Sequence, residues 1–297
     1  MGLYWEPCPG GARLLRLLGD PPCPAVPGTI EGLPVAELGP YCFADRPVRP
    51  GARRTGDDTH EITGNFVEEV TLPDTVRVLD SAAFYNCRRL RRVTLGPGVE
   101  GFGSDLFTNC RQLQTFRLRA AADAPTGLKK LLGAVSADIT VELDGAQLFY
   151  PEYSEFLDEN TPAHIFNHSI EGEGYRMRQC FTPGGAVDYA AFDASFAQAC
   201  VGESEDKLCR LALGRLVQPF GLGDDARADY ELYLTAHPEA AFRRAIDDRD
   251  EAALRLLVGL PTADAAVYCA RVGWSAGAAV LLGRAKRAKK TYDFDDL

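Results

Sequence analysis

His164 and His168 stand four residues apart, a spacing that on a helix would turn two imidazoles toward one metal ion. The residue between them that a zinc peptidase would need as general base is Ile165, not Glu. Asn167 and the run Glu171-Gly172-Glu173-Gly174 also speak against a helix there. Cys180 and Glu171 would complete a ligand set only if the fold carried them in. No metal site is expected. Nine cysteines stand at 8, 23, 42, 87, 110, 180, 200, 209 and 269, with no Cys-x-x-Cys pair. Zinc ribbons and redox motifs need that tight spacing so that two thiolates converge, so these read as free thiols of a reducing compartment. Gly101-Phe102-Gly103 and Gly221-Leu222-Gly223 are too short to cradle a phosphate, and no Gly-x-Ser-x-Gly elbow presents a serine. The reading is of no catalytic residue, no cofactor and no enzyme.

Charge points the same way. Residues 1–125 hold 14 basic side chains, all arginine, against 15 acidic. Residues 126–297 hold 18 against 27, so the net charge of −10 sits almost wholly in the second part. A surface of that sign does not suit phosphate backbones, and nucleic acid is not expected as a partner. The basic run Arg284 to Lys290 is followed by Asp293, Asp295 and Asp296 and reads as a solvated helix end. Apolar content of 46% with 25% charged residues is that of a folded globular chain. No apolar run is long enough to span a bilayer, and the first residues lack the basic start and apolar stretch of a secretory signal. A cytoplasmic protein with no membrane contact is expected.

The elements that would position any site declare themselves through a repeat. Val70, Leu72, Val76, Phe84, Asn86, Cys87 and Leu90 recur as Val93, Leu95, Val99, Phe107, Asn109, Cys110 and Leu113, each 23 residues on. Phe116 and Leu118 continue the series from Val93 and Leu95. In Val70-Thr71-Leu72 and Val93-Thr94-Leu95 the alternation is that of a short strand with one buried face. Pro73 and Gly96-Pro97 end those strands. Phe84 and Phe107 are large enough to fill a coil from its return side, and Asn86 and Asn109 suit its turns. One coil cannot bury such a face alone, but a stack of coils can. Strands at 69–72, 92–95 and 115–118 should therefore lie parallel, with Phe84 over Phe107.

These residues resemble the BspA-like class of bacterial leucine-rich repeats: Val70-x-Leu72-Pro73-x-x-Val76, then Ala83-Phe84-x-Asn86-Cys87-x-x-Leu90. The segment Ile30 to Phe43, preceded by a strand at Ala12 to Leu18, is similar to an opening repeat of that class. The resemblance covers about 12–120 and implies a solenoid that binds partners without a fixed ligand. Phe43 and Phe84 are 41 apart, so an insertion of about 18 residues, rich in Pro, Gly, Arg and Asp, falls at about 45–65 and reads as an exposed loop.

The fold class is thus α+β, a short solenoid of 23-residue repeats over 1–145 and a mostly helical domain over 146–297. Leu128–Leu132 and Ile139–Leu143 read as closing strands. From Pro151 the pattern reads as helical, with no assignment for 163–181. Helices are expected at Tyr189–Cys200, Glu205–Val217, Ala226–Thr235, Glu239–Ile246, Asp250–Val258, Ala263–Val272 and Ala276–Arg287. A fainter spacing of 25 links Ala245, Ala253, Leu256 and Leu257 to Ala270, Ala278, Leu281 and Leu282, resembling ankyrin-like hairpins at about 239–287.

Within each repeat strand the residues alternating with the buried ones must face out. They are Glu69 and Thr71, Arg92 and Thr94, Thr115 and Arg117, in rows Glu69–Arg92–Thr115 and Thr71–Thr94–Arg117. Arg88, Arg89, Arg91 and Arg111 add charge beside them. The function read from this is a non-catalytic protein-interaction scaffold that meets a protein partner through the solenoid, the helical domain or both. The alternative is an enzyme whose site lies in 146–297, marked by His164, His168 and Cys180 coming together.

Overall fold

The computed structural model describes residues 2–160, 165–261 and 264–288. By its contacts the chain divides into one unit of residues 1–145 and 150–188, and a second of 146–149 and 189–297. Residues 150–188 therefore go with the repeats.

The first unit opens with an antiparallel pair, β1 (Gly2–Cys8) and β2 (Gly11–Leu18). Gly10 turns the chain between them at φ 93°, a left-handed conformation natural to glycine. Then come β3 (Thr29–Ile30), β4 (Leu33–Leu38), β5 (Arg53–Thr55), β6 (Glu69–Thr71), β7 (Val78–Leu79), β8 (Arg92–Leu95), β9 (Gly101–Phe102) and β10 (Thr115–Ala121). Helix α1 (Leu128–Leu132) and β11 (Ile139–Asp144) follow, and β12 (Ala146–Tyr150) leads into β13 (Ser154–Asn160), β14 (Ile165–Glu171) and α2 (Gly174–Met177).

Two coils give one strand to each of two sheets, β6 and β7 from one and β8 and β9 from the next. One sheet runs β5-β1-β2-β4-β7-β9, with β3 pairing on β4; the other runs β6-β8-β10-β11. The 23-residue spacing is a spatial register. Val70 lies beside Val93 and Val93 beside Phe116, all parallel, and Val78 lies beside Gly101 in the other sheet. Between the sheets the phenylalanines stack. Phe43 is 5.2 Å from Phe84 with ring planes nearly parallel at 5°, and Phe84 is 5.3 Å from Phe107 at 15°. Val70, Leu72, Val93, Leu95, Phe116 and Leu118 are all buried around that column.

The turns repeat as strictly as the strands. Tyr41, Ala82 and Asp105, each two residues before its coil's phenylalanine, have φ of 58°, 57° and 55°. Asn86 and Asn109, two residues after theirs, have 63° and 62°, and the Asn109 amide donates to Asn86 Oδ1 at 2.8 Å. Asparagine tolerates this left-handed region better than other side chains.

The inserted residues 45–65 are mostly exposed but carry β5, which pairs antiparallel with β1. Arg16, fully buried in the apolar strand β2, clamps both ends of this segment. Its guanidinium donates to Glu61 Oε2 at 2.7 Å and to the Arg46 carbonyl at 2.7 Å.

Two expectations are corrected. Leu128–Leu132 is a helix, because Leu128, Leu131 and Leu132 fall on one face at the i, i+3, i+4 spacing and are buried, while Lys129 and Lys130 face out. The stretch after Pro151 is not helical but an antiparallel ribbon, with Ser154 opposite Glu171 and Phe156 opposite Ser169. At its base the buried Arg178 donates to the carbonyls of Val135, Ala137, Pro151 and Gly174. Burial among these groups draws its pKa down to about 10. Gly174 lies so close to the Pro151 carbonyl that a Cβ would sit 1.9 Å from its oxygen.

The second unit is helical: α3 (Tyr189–Ala194), α4 (Phe196–Gly202), α5 (Glu205–Val217), α6 (Asp224–Ala236), α7 (Pro238–Asp247), α8 (Glu251–Leu257), α9 (Ala265–Arg271) and α10 (Ser275–Ala288). The expected Tyr189–Cys200 helix is broken at Ser195, Glu205–Val217 appears with the ends expected, and the other five appear with shifted ends. Asp250 caps α8 by accepting from the Ala253 amide at 3.0 Å. Helices α7 and α8 form one hairpin and α9 and α10 the next, with α7 beside α9 and α8 beside α10. Near the start of this unit Arg215 holds Asp193 through two bonds of 2.7 and 2.9 Å, and Tyr230 donates to the same carboxylate at 2.8 Å. All three side chains are buried.

Candidate interaction surface

The outer face of the second sheet is the surface on which the repeats present polar side chains at fixed intervals. Its rows are those of the register. Glu69, Arg92 and Thr115 are neighbours across β6, β8 and β10, and Thr140 of β11 follows. Thr71, Thr94 and Arg117 form the second row, ending in Glu142. Thr71 is exposed, and the other five expected residues are half-buried.

Two acidic residues of β11 were missed in the sequence and shape this face. Arg92 donates to both Glu142 oxygens, at 2.7 and 3.1 Å, and Arg117 pairs with Asp144. The hydrogen bonds to Glu142 hold the Arg92 pKa above its ordinary value. The fixed rule of 23 hides Glu142, because the last coil contains α1 and its strand is offset by 25: Phe116 pairs with Val141. The signal that would have found it is the alternation Thr140, Glu142, Asp144 in the expected strand itself.

Other arginines are also engaged. Arg89 and Arg91 both reach Glu68, and Arg119 reaches Asp74 and the Leu72 carbonyl. Arg88 and Arg111, one coil apart, are exposed and form no ion pair among the described residues. The face is therefore a lattice of half-buried, mutually neutralised charges and threonines, edged by two free cations. It is rigid, because its central strands β8 and β10 are hydrogen-bonded on both sides.

Of the residues weighed for metal chemistry, His168 and Cys180 join no metal-binding group among the described residues. His168 is exposed on β14, bonded to Glu155 at 3.2 Å, and Cys180 is buried beyond α2. His164 lies outside the described residues. Among the described residues no group of three His, Cys, Asp or Glu is placed to hold a metal ion. All nine cysteines are free. Burial raises the thiol pKa to about 12 at Cys42, Cys110 and Cys209, so these sulfurs stay protonated. Cys87 and Cys110 serve the stack, donating to the Phe43 and Phe84 carbonyls at 3.3 and 3.0 Å.

In the second unit, a groove of about 620 Å³ runs between α7 and α9, lined among others by Phe242, Arg243, Asp264, Tyr268 and Arg271. No helix among the described residues is long and apolar enough to cross a membrane.

Residues 62–124 match the family model described as BspA type leucine rich repeat region (6 copies). Among solved structures the chain is similar to a leucine rich repeat protein of T. pallidum, at 22% identity and a TM-score of 0.31. That match covers 40% of this chain and spans 53% of the other. Comparison with curated proteins gives no match. Residues 62–124 are BspA-type leucine-rich repeats, stacked as a solenoid and followed in the chain by a helical region.

Proposed function

We propose that this chain is a non-catalytic protein-interaction scaffold, with the outer strand face of the solenoid as the site that takes a protein partner. The observation that carries the reading is the unbroken register of Glu69–Arg92–Thr115 and Thr71–Thr94–Arg117. A face whose backbone and side chains are already ordered loses little entropy on binding. Leucine-rich repeats supply such faces, and a net charge of −10 favours a protein over a nucleic acid as the ligand. The stacked hairpins α7/α8 and α9/α10 resemble ankyrin-like packing and offer a second rigid surface at the groove beside Arg243 and Tyr268. Nine free thiols support a reducing, cytoplasmic setting.

The test is capture of partner proteins from lysate by the wild-type chain and by an Arg92→Gln, Arg117→Gln double variant. Retention should fall by about tenfold, equivalent to about 1.4 kcal/mol. Thermal unfolding should move little, because part-exposed ion pairs contribute only about 0–1 kcal/mol each. Unchanged retention would move the site off this face.

A further inference from the structure

The ribbon β13–β14 is built unlike anything else in the first unit. The coils hide their strands in stacked sheets, whereas this is a two-stranded sheet with no third strand on either edge among the described residues. Two strands alone are marginal in water, and here the support is at the base. The Tyr153 amide donates to the Ser136 carbonyl at 3.0 Å, and the rings of Tyr153 and Tyr175 meet edge to face at 5.4 Å. Further out, Phe156 is 44% exposed and Leu157 68%. They are adjacent in one strand, so they point to opposite faces of the ribbon, and each leaves apolar surface exposed on its face among the described residues.

Charge on this segment has one sign. From 151 to 175 the sequence holds Glu152, Glu155, Asp158, Glu159, Glu171 and Glu173, and no lysine or arginine. Open strand edges are usually protected by lysine, proline or a bulge. Between Ser154 and Leu157, β13 has no lysine, proline or bulge, and its one charged side chain is Glu155, which would repel an acidic strand and accept a basic one.

We infer that the open edge of β13 is a docking strip for an extended, basic segment of a partner protein, which adds to the ribbon as a third strand. Backbone bonds along Ser154–Leu157 supply the pairing. An apolar pair in the incoming strand covers Phe156 and Leu157 on the two faces, and flanking lysine or arginine answers Glu155 and its acidic neighbours. A second copy of this chain offers the same acidic ribbon and would be repelled. The inference is independent of the sheet-face reading, since it uses different strands.

The experiment is fluorescence anisotropy of the intact chain with three labelled peptides: a short lysine–valine–isoleucine peptide, the same peptide N-methylated on alternate amides, and its glutamate counterpart. The lysine peptide should bind and weaken with added salt, and the other two should bind at least about tenfold more weakly. A Phe156→Ser, Leu157→Ser variant should lose about tenfold for the lysine peptide while its thermal unfolding matches the wild type. The Arg92→Gln, Arg117→Gln variant should bind it unchanged. Equal binding of the N-methylated or the glutamate peptide would overturn the inference, as would indifference to the serine substitutions. So would self-association of the peptide-free chain that the serine substitutions abolish, which would assign the strip to a second copy.

Discussion

The repeats and the helical hairpins each show a recurring spacing, 23 residues in one and 25 in the other, but only the first is a period in space. At 23, Phe84 and Phe107 are both buried and stacked, and Val70, Val93 and Phe116 sit side by side. At 25, buried Ala245 maps to exposed Ala270, and buried Leu257 to Leu282, which is 57% exposed. A shift of 24 fits the hairpins better. It relates Ala241 to Ala265, Ala245 to Cys269 and Ala253 to Gly277, all buried. The physical difference is the hydrogen-bond ladder. Adjacent coils are bonded residue to residue, so sequence offset and spatial offset must agree. Helices satisfy their backbones internally and pack through side chains alone, so a helix can turn by one residue at little cost and blur the spacing.

Breaking the phenylalanine column should have the largest effect. Phe84 is fully buried between Phe43 and Phe107, and Phe84→Ala should cost about 3–5 kcal/mol through the cavity it leaves. The denaturant midpoint measures it, and a shift below about 1 kcal/mol would mean that the stack does not hold the coils. In the hairpins the sharper experiment is a pair. Leu257→Ala should cost about 2–5 kcal/mol. Leu282→Ala, its partner at spacing 25, should stay within about 0.5 kcal/mol. Equal costs would restore 25 as the structural period.

The same contrast explains what the sequence revealed. The strands at 69–71, 92–95 and 115–121 and the outward rows were legible, because a half-buried parallel strand imprints alternation on its residues. The ribbon at 154–171 was not. With both faces in solvent near Phe156 and Leu157, nothing forces an alternating pattern there, and Phe156-Leu157 reads like a piece of helix. The role of Arg16 was not legible, since its partners Glu61 and the Arg46 carbonyl lie 45 and 30 residues away. On the outer strand face, the rows Glu69–Arg92–Thr115 and Thr71–Thr94–Arg117 were legible as a register, and their acidic counterparts were not. Glu142 and Asp144 lie in the one coil where an extra helix stretches the repeat.

Helix starts offer a smaller test on the hairpin side. Asp250 accepts from the Ala253 amide, one of the donors a helix start leaves unpaired. Asp250→Ala should cost about 1 kcal/mol in thermal or denaturant unfolding. Asp250→Asn should recover most of that, because an amide oxygen caps nearly as well as a carboxylate. Failure of that rescue would mean the charge, rather than the cap bond, holds the turn between α7 and α8.

The smallest effect belongs to the asparagine turn of the solenoid, where two terms oppose each other. Asn86 sits at φ 63°, which costs an ordinary side chain about 1–2 kcal/mol and glycine almost nothing. Its side chain also accepts the Asn109 bond at 2.8 Å, an exposed contact contributing about 0.5 kcal/mol. Asn86→Gly therefore relieves conformation and loses the bond, and should fall within about 0.5 kcal/mol of wild type. Asn86→Ala loses the bond and keeps the strained backbone, so it should be about 1 kcal/mol less stable than the glycine variant. Differential scanning calorimetry of the two variants separates the terms. If alanine and glycine prove equal, the turn is held by the stacked side chains and not by its backbone conformation. The strict recurrence of φ at 86 and 109 would then follow from the ladder instead of causing it.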